Sequence, residues 1–405
     1  MTERERRRKI IEHLRSGETQ SAADELAGSL EPYPGDGLLH HAIGLAFASR
    51  GTLGAAREQL ETAARLTPDS AVILADLAQV RLAQGKSEEA AESALAALAL
   101  DPSLPVARFT LGRAYLTSDL SRQARHPAAP PAGFDFPVVD GRTDGYLRAL
   151  SEMERSLDAA PPFTAIIRGA LAFAYSRAGH YHAALEQLRA QLVEQPGGEE
   201  ADRVADRLRS CECEIAREAY WSALGEEESL GPLSDEVSPA EALLRAAHSC
   251  AVAGDDASLS EALSRARAAG YQPRQALVAR HNAGDDIYQQ LSDAHYFIAG
   301  GLECVFEGRL RFLPFSELGS ATFGPPAQWR SADVELLSGD RIEALVPSLY
   351  RLSHRSPNDL IQSGRFTQFK YAPGETRYAR AIGSRNLATE SGAVAFAEVR
   401  AIRFI

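Results

Sequence analysis

Residues 35–102 read GDGLLHHAIGLAFASRGTLGAAREQLETAARLTPDSAVILADLAQVRLAQGKSEEAAESALAALALDP, and this stretch decides the fold. Pro34, Pro68 and Pro102 stand 34 residues apart, twice over. Between each pair lie two amphipathic segments of helical length, and proline cannot continue the second of them. Ile43, Gly44 and Phe47 mark the first helix of one unit, with Ala56, Leu60 and Ala63 on its second. In the next unit Leu77 and Ala78 answer to Ala90, Ala94 and Ala97. Small residues at those places let two antiparallel helices touch, while Leu and Phe fill the space between hairpins.

A 34-residue period of closely packed helical hairpins is that of tetratricopeptide repeats. The reading extends in both directions. Ala22 and Leu26 fit a divergent capping unit, and Leu171, Ala172, Tyr175, Ala184, Leu188 and Pro196 fit a later one. The third unit is interrupted. Leu111, Gly112 and Tyr115 begin it, but its second helix, Tyr146–Ala159, arrives late. The intervening HPAAPPAGFDFPVVDG (126–141) is too rich in Pro and Gly for a helix. It reads as an insertion spanning about 118–145, with an apolar centre at Phe134, Phe136, Val138 and Val139. Residues 1–198 are thus expected to form a helical repeat array. Residues 199–284 are expected to add further helical hairpins, either degenerate repeats or a separate layer: Ala201–Leu224, then Pro239–Ala253 with Leu259–Ala269, stopped at Gly270, Tyr271 and Pro273.

Beyond about Ile287 the periodicity changes. LECVF–EG–RLRFL and VELL–SGD–RIEALV read as two β-hairpins, with Val334 and Leu336 alternating with Glu335. Further strands are expected within Thr376–Ile382 and Val394–Phe404. The fold class is therefore mainly α: a tetratricopeptide-like α-solenoid of helical hairpins followed by a small β-rich or α+β domain at 285–405.

This last segment resembles the ImpE/TagJ family, accessory proteins of bacterial type VI secretion. The matching phrases are FLPFSEL (Phe312–Leu318), ATFGPP (Ala321–Pro326) followed by Trp329, VPSLY (Val346–Tyr350), GRFT (Gly364–Thr367) and AEVRAIRF (Ala397–Phe404). Gln368–Phe369 stands where the family has Asp-Trp, and Gly339–Asp340 where it has Asp-Gly. The resemblance implies action by protein contact, between the small subunit of a contractile sheath and its disassembly ATPase, with no catalytic residues.

Composition agrees with a protein-binding role. The 405 residues are 45% apolar and carry 43 basic against 55 acidic side chains, a net charge of −12. That balance argues against nucleic acid and anionic membrane as partners. The Arg4–Lys9 run, broken by Glu5, reads as a solvated helix face. No apolar run reaches the ~18 residues of a membrane span, and no apolar core follows the charged N-terminus as in a secretory leader. Four scattered cysteines suit a reducing cytoplasm. No GxxxxGK[ST], HExxH or GxSxG occurs. Cys211 and Cys213, two apart on a helix, point to different faces. His180 and His182 read as turn residues. Enzyme, cofactor and metal are accordingly not expected.

In a hairpin stack the first helices share one face, the place to seek a partner. Its expected lining includes Leu38, His41, Leu45, Val72, Ala75, Gln79, Phe109, Arg113, Ile166 and Phe173, mostly apolar, which suits an amphipathic helix, such as one from a sheath subunit. The Phe134–Val139 loop is an alternative occupant of that face. Trp329 and Tyr350 are the candidate contacts on the β-rich domain. Two roles stay open: a type VI secretion adaptor, or a peptide-binding scaffold or co-chaperone of another bacterial pathway.

Overall fold

The computed structural model describes residues 35–127, 136–159, 163–223, 258, 261–262, 264–265, 274–281, 284–293, 301–371 and 379–405. The proposed capping unit, Phe134, and nearly all of the Pro239–Ala253 and Leu259–Ala269 hairpin lie outside them. The chain divides into two compact units, one of residues 1–122 and 141–171, the other of 123–140 and 172–405.

In the first unit the repeats are helical hairpins: α1 (Gly37–Ser49) with α2 (Leu53–Leu66), and α3 (Ala71–Ala83) with α4 (Ser87–Leu100). Asp36 caps α1 by accepting from the Leu38 and Leu39 amides, and Ser70 does the same for α3 at Ile73. Each first helix ends at a glycine with φ near +75°, Gly51 and Gly85, one period apart. A left-handed residue turns the chain back there and only glycine adopts it without cost. Ala56, Leu60, Ala63, Ala78, Ala90, Ala94 and Ala97 are wholly buried. The period thus marks the helix contacts themselves. A Cβ on Gly44 would stand 2.6 Å from Leu60 Cγ.

The third hairpin pairs α5 (Pro105–Arg125) with α6 (Asp144–Glu154). Its backbones are closer still, since a Cβ on Gly112 would lie 2.8 Å from the Ala149 carbonyl oxygen, against 3.2 Å from the Ala56 carbonyl oxygen at Gly44. Two expectations shift here. Helix continues through 118–125, where the insertion was expected to have begun, and α6 ends at Glu154, short of Ala159. The extra turns of α5 are held by Asp119, which is buried, pairs with Arg122 and accepts from Thr143 Oγ1 at 2.8 Å. Thr143 in turn caps α6 at the Tyr146 amide.

In the second unit α7 (Phe163–Ala178, from Ala172 onward), α8 (Tyr181–Glu194) and α9 (Glu199–Ala223) continue the helical pattern. Ala172, Ala184, Leu188, Val204 and Cys211 form their shared core. The remainder is a ten-stranded antiparallel sheet of order β11-β10-β2-β1-β12-β5-β6-β7-β3-β4, with a separate β8-β9 ribbon. In chain order the strands are β1 Arg274–Arg280, β2 Asp286–Asp293, β3 Gly301–Phe306, β4 Arg309–Pro314, β5 Leu318–Phe323 and β6 Trp329–Leu336. They continue with β7 Arg341–Pro347, β8 Thr367–Tyr371, β9 Ala379–Gly383, β10 Asn386–Thr389, β11 Gly392–Ala395 and β12 Val399–Phe404. A one-turn helix, α10 (Asp359–Gln362), precedes β8.

Both expected hairpins are present, β3–β4 and β6–β7. Glu307 and Gly308 have φ of 50° and 73°, the two left-handed positions of a type I′ turn, whose twist matches the strands it joins. The C-terminal part is larger than the small domain expected, because strand pairing starts earlier. Arg274–Arg280, expected within the helical stretch, is β1. Its Ala276 and Val278 pair with Phe404 and Ile402 of β12, and both are fully buried. Alanines that favour helix locally are overridden by that pairing. The Phe136–Asp140 stretch packs within this second unit. Phe136 contacts Ile361 and Ile382, the Val139 amide donates to the Arg355 carbonyl at 2.7 Å, and Gln123 bonds both backbone groups of Asp140.

Enlarging either crossing should cost stability. Gly44→Leu should destabilise the protein by about 1–3 kcal/mol. Gly112→Ala should also lower the melting temperature despite adding one methyl, because the atom it meets is backbone and cannot turn aside. Thermal unfolding followed by circular dichroism checks both, and unchanged midpoints would contradict these crossings.

Candidate functional site

The repeat period places Leu38, Val72 and Val106 at one helical position, and Leu45, Gln79 and Arg113 at another. Leu38, Leu45, Val72 and Gln79 are exposed on α1 and α3, the two leucines and Val72 at 56%, 38% and 53%. Between the two helices His41 Nε2 bonds Asp76 Oδ2 at 2.7 Å. This gives the first unit an apolar surface strip with a polar pair fixing its centre. Ile166 on α7 is likewise exposed. Phe173, in the second unit, is 44% exposed with Arg177 over its ring.

Phe109 departs from the expectation. It is buried, stacked edge-to-face on Phe163 at 5.4 Å, and only Arg113, its guanidinium 5.7 Å from the ring centre, reaches the surface. A ring this size recovers more by leaving water than by waiting for a partner. Ala75, one period earlier, is buried too.

Trp329 and Tyr350 depart further: neither is a surface contact. Trp329 Nε1 donates to Glu214 Oε1 at 3.0 Å, and Tyr350 donates to the Asn386 carbonyl while accepting from the Asn386 amide. Each aromatic has a buried polar handle satisfied internally, which fixes it in the core. Sequence reading took them as motif-bearing and hence exposed, but their place is architectural.

They belong to a polar layer between α9 and the sheet that the sequence did not disclose. Arg217 and Glu303, about 1% exposed, make a two-pronged ion pair at 2.8 and 2.9 Å; Arg217 also donates to the Leu349 carbonyl and stacks 5.5 Å from the Trp329 ring. The next residue, Glu218, takes both prongs of Arg351, whose guanidinium covers Trp221. Residues 214, 217, 218 and 221 fall at the i, i+3, i+4, i+7 spacing of one helix face. That spacing, charged where an apolar stripe was expected, was the available signal.

Glu214 lies in the same layer and is fully buried, which pushes its carboxyl up to about 7 despite Arg217 at 3.6 Å. His354 is also buried, and burial together with Arg355, Arg217 and Arg177 brings it down to about 3. Its imidazole is therefore neutral and accepts at Nε2 from the Tyr181 hydroxyl at 2.5 Å, a phenol that burial holds well above its ordinary range. Cys211 and Cys213 are buried on α9, and burial lifts the Cys213 thiol to about 12. Both thiols stay protonated and inert.

All of the sheet but β1, with its buried motif residues, falls in the stretch that matches a known family. Residues 285–403 match the ImpE protein family. The chain is also 25% identical over 269 residues to the type VI secretion system accessory component TagJ of Pseudomonas aeruginosa, covering 65% of this chain and 88% of TagJ. Among solved structures, protein VPA1032 from Vibrio parahaemolyticus aligns with a TM-score of 0.49 and 16% identity over 64% of this chain and 93% of its own. The tetratricopeptide protein TTC0263 of Thermus thermophilus aligns with a TM-score of 0.40 and 18% identity, over 51% and 99%. The phrases shared with the ImpE family contribute core residues: Phe315 from FLPFSEL, Phe323 from ATFGPP, Tyr350 from VPSLY and Ile402 from AEVRAIRF are all buried.

Removing one partner of the Arg217–Glu303 pair should strand a buried charge. Glu303→Ala should cost about 3–5 kcal/mol, and the double change Arg217→Met, Glu303→Leu should recover much of it. Denaturant unfolding of the three variants checks this.

The two shifted groups also set a pH dependence. Glu214, raised from 4.5 to about 7, binds its proton more tightly folded than unfolded. Its contribution is fully present below about 4.5 and is lost as pH rises through 7. His354, lowered from 6.5 to about 3, contributes above 6.5 and loses that contribution as pH falls towards 3. From 4.5 to 6.5 the two oppose each other. Glu214→Gln should therefore abolish a decline in stability between pH 6.5 and 7.5, measured by the urea midpoint, and let the acid-side decline begin near pH 6.5, where Glu214 no longer offsets it.

Proposed function

We propose that this chain is a non-enzymatic adaptor of bacterial type VI secretion, acting through protein contact. The observation that carries the reading is the match of residues 285–403 to ImpE, joined to similarity with TagJ across most of TagJ's length. No helix among the described residues is long and apolar enough to cross a membrane. The chain works in the cytoplasm, contacts sheath or ATPase components, and offers the first-helix strip of its repeats to an amphipathic helix of the small sheath subunit. Leu38, Leu45 and Val72 are the apolar anchors, with His41, Gln79 and Arg113 as polar rim and Ile166 as a further candidate; Phe173 is a separate candidate contact on the second unit. What supports this is chemistry: exposed aliphatic side chains repeated along neighbouring helices match the i, i+4, i+7 anchors of such a helix.

The test is calorimetry of the full chain against the purified N-terminal helix of the small sheath subunit. Leu38→Asp with Val72→Asp should leave the fold intact, since both side chains are already exposed. The pair should weaken binding by about 2 kcal/mol or more. Equal affinity of a folded double variant would remove the strip as the site. Absence of binding by the parent would replace the sheath partner with the general peptide-scaffold role.

A further inference from the structure

The second unit carries a groove of about 610 Å³ that the first-helix strip does not involve. Its wall on α9 is Arg209, Glu212 and Cys213, at i, i+3 and i+4 of one helix face. Its floor is the sheet. Ser331 of β6, Leu345 of β7 and Val305 of β3 form one row across three strands, with Leu345 paired to both of the others.

The next row is carboxylate throughout. Asp333 of β6 stands directly opposite Glu343 of β7, and the β3–β7 register brings Glu307, at the β3–β4 turn, to the other side of Glu343. All three line the groove and all three are exposed, so an arriving cation reaches them. Like charges directly opposite on a sheet repel. One row further on, Glu335 is opposite Arg341 and pairs with it at 3.9 Å. The Asp333 row has no such counterpart: its three carboxylates make no ion pair or hydrogen bond among the described residues. Arg209, the cation on the facing wall, is taken by Asp206 of its own helix.

We infer that this groove docks a short basic segment of a partner protein, its lysine or arginine heads along the Asp333–Glu343–Glu307 row and their aliphatic stems on Leu345 and Val305. Long cationic side chains bring both parts the groove asks for, an apolar stem and a charged tip. The alternatives fit worse. A bare divalent ion would use the carboxylates alone, and no three His, Cys, Asp or Glu side chains among the described residues are grouped closely enough to hold one. An acidic or phosphorylated segment would add to a repulsion already present. A purely apolar segment would cover carboxylates with carbon and leave them unpaired. A polyamine has the charge, but its thin chain leaves much of the groove empty.

The experiment is isothermal calorimetry on the full chain with three probes: the peptide acetyl-Ala-Arg-Lys-Leu-Arg-Ala-amide, its counterpart with glutamine for each basic residue, and spermidine. The basic peptide should bind, and the other two should be weaker by about tenfold or more. Asp333→Asn with Glu343→Gln should weaken the basic peptide by about tenfold or more, while the melting midpoint holds or rises because a repulsion is removed. Glu199→Gln with Glu200→Gln removes the same charge from exposed positions at the start of α9 and should change affinity less than about twofold. Ser331→Trp fills the floor from an exposed position and should abolish binding while the circular dichroism spectrum stays native. No binding of the basic peptide by the parent, spermidine binding as tightly, equal losses in the two charge-matched variants, or unchanged affinity in the folded groove variants would each overturn the inference.

Discussion

Arg217 and Glu303 have left water almost entirely, and each is satisfied chiefly by the other. Such a pair is costly to bury and gains little net stability over a well-packed apolar pair. What it adds is discrimination. A helix carrying a bare guanidinium can settle on this sheet only where a carboxylate and the Leu349 carbonyl wait at the right separation. The rest of the α9 contact follows from that registry. Once Arg217 is seated, Glu214 meets the Trp329 indole and Glu218 meets Arg351. Tyr220 and Trp221 then come against Phe312 at 5.3 and 6.2 Å between ring centres. A purely apolar stripe could slide by a turn; this one cannot without exposing two charges to a dry interface.

The sheet solves a similar problem around Arg330 and Arg385. Arg330 is 1% exposed, donates to the carbonyls of Gly324, Phe396 and Val399, and lies over the paired rings of Phe323 and Phe396. Arg385 pairs with Asp293 and also lies over the Phe396 ring, 5.2 Å from its centre. Those carbonyls lie in segments bordering β5 and β12, where the chain leaves regular pairing and its backbone needs donors. Arginine suits the task, offering five N–H groups on a plane that also stacks on aromatics. The layer thus uses buried cations as cross-links in a chain whose described cysteines are all unpaired.

Legibility in the sequence followed the range of the forces involved. The helical hairpins could be read because their determinants are local and periodic: Gly44 opposite Leu60, Gly51 and Gly85 at equivalent turns, alanines wherever helices touch. The β3–β4 hairpin was legible for the same reason, since Glu307–Gly308 writes its turn into two adjacent residues. Strand β1 was not, because RQALVAR lacks the alternation that marks a strand, and it is held by β2 on one side and on the other by β12, more than a hundred residues away. Nor was the burial of Trp329 and Tyr350. A tryptophan beside a conspicuous motif looks the same in sequence whether its partner is Glu214 or another protein. Phe109 failed for a subtler reason, occupying a correct face position but meeting Phe163 at the start of α7, the helix that follows the irregular third hairpin.

These distinctions bear on where specificity can reside. The phrases that tie residues 285–403 to ImpE place Phe315, Phe323, Tyr350 and Ile402 inside, so what they preserve is a packing solution. A partner cannot read a side chain that water cannot reach. Recognition must then draw on residues that folding leaves unconstrained, and the exposed first-helix positions at Leu38, Leu45 and Val72 have that property. They face solvent at places where the period requires nothing of them, next to neighbours such as Ile43 and Ala46 that the period fixes. A repeat scaffold can change its partner by altering the former without disturbing the latter, so similarity in the sheet and divergence in the helices are compatible within one protein.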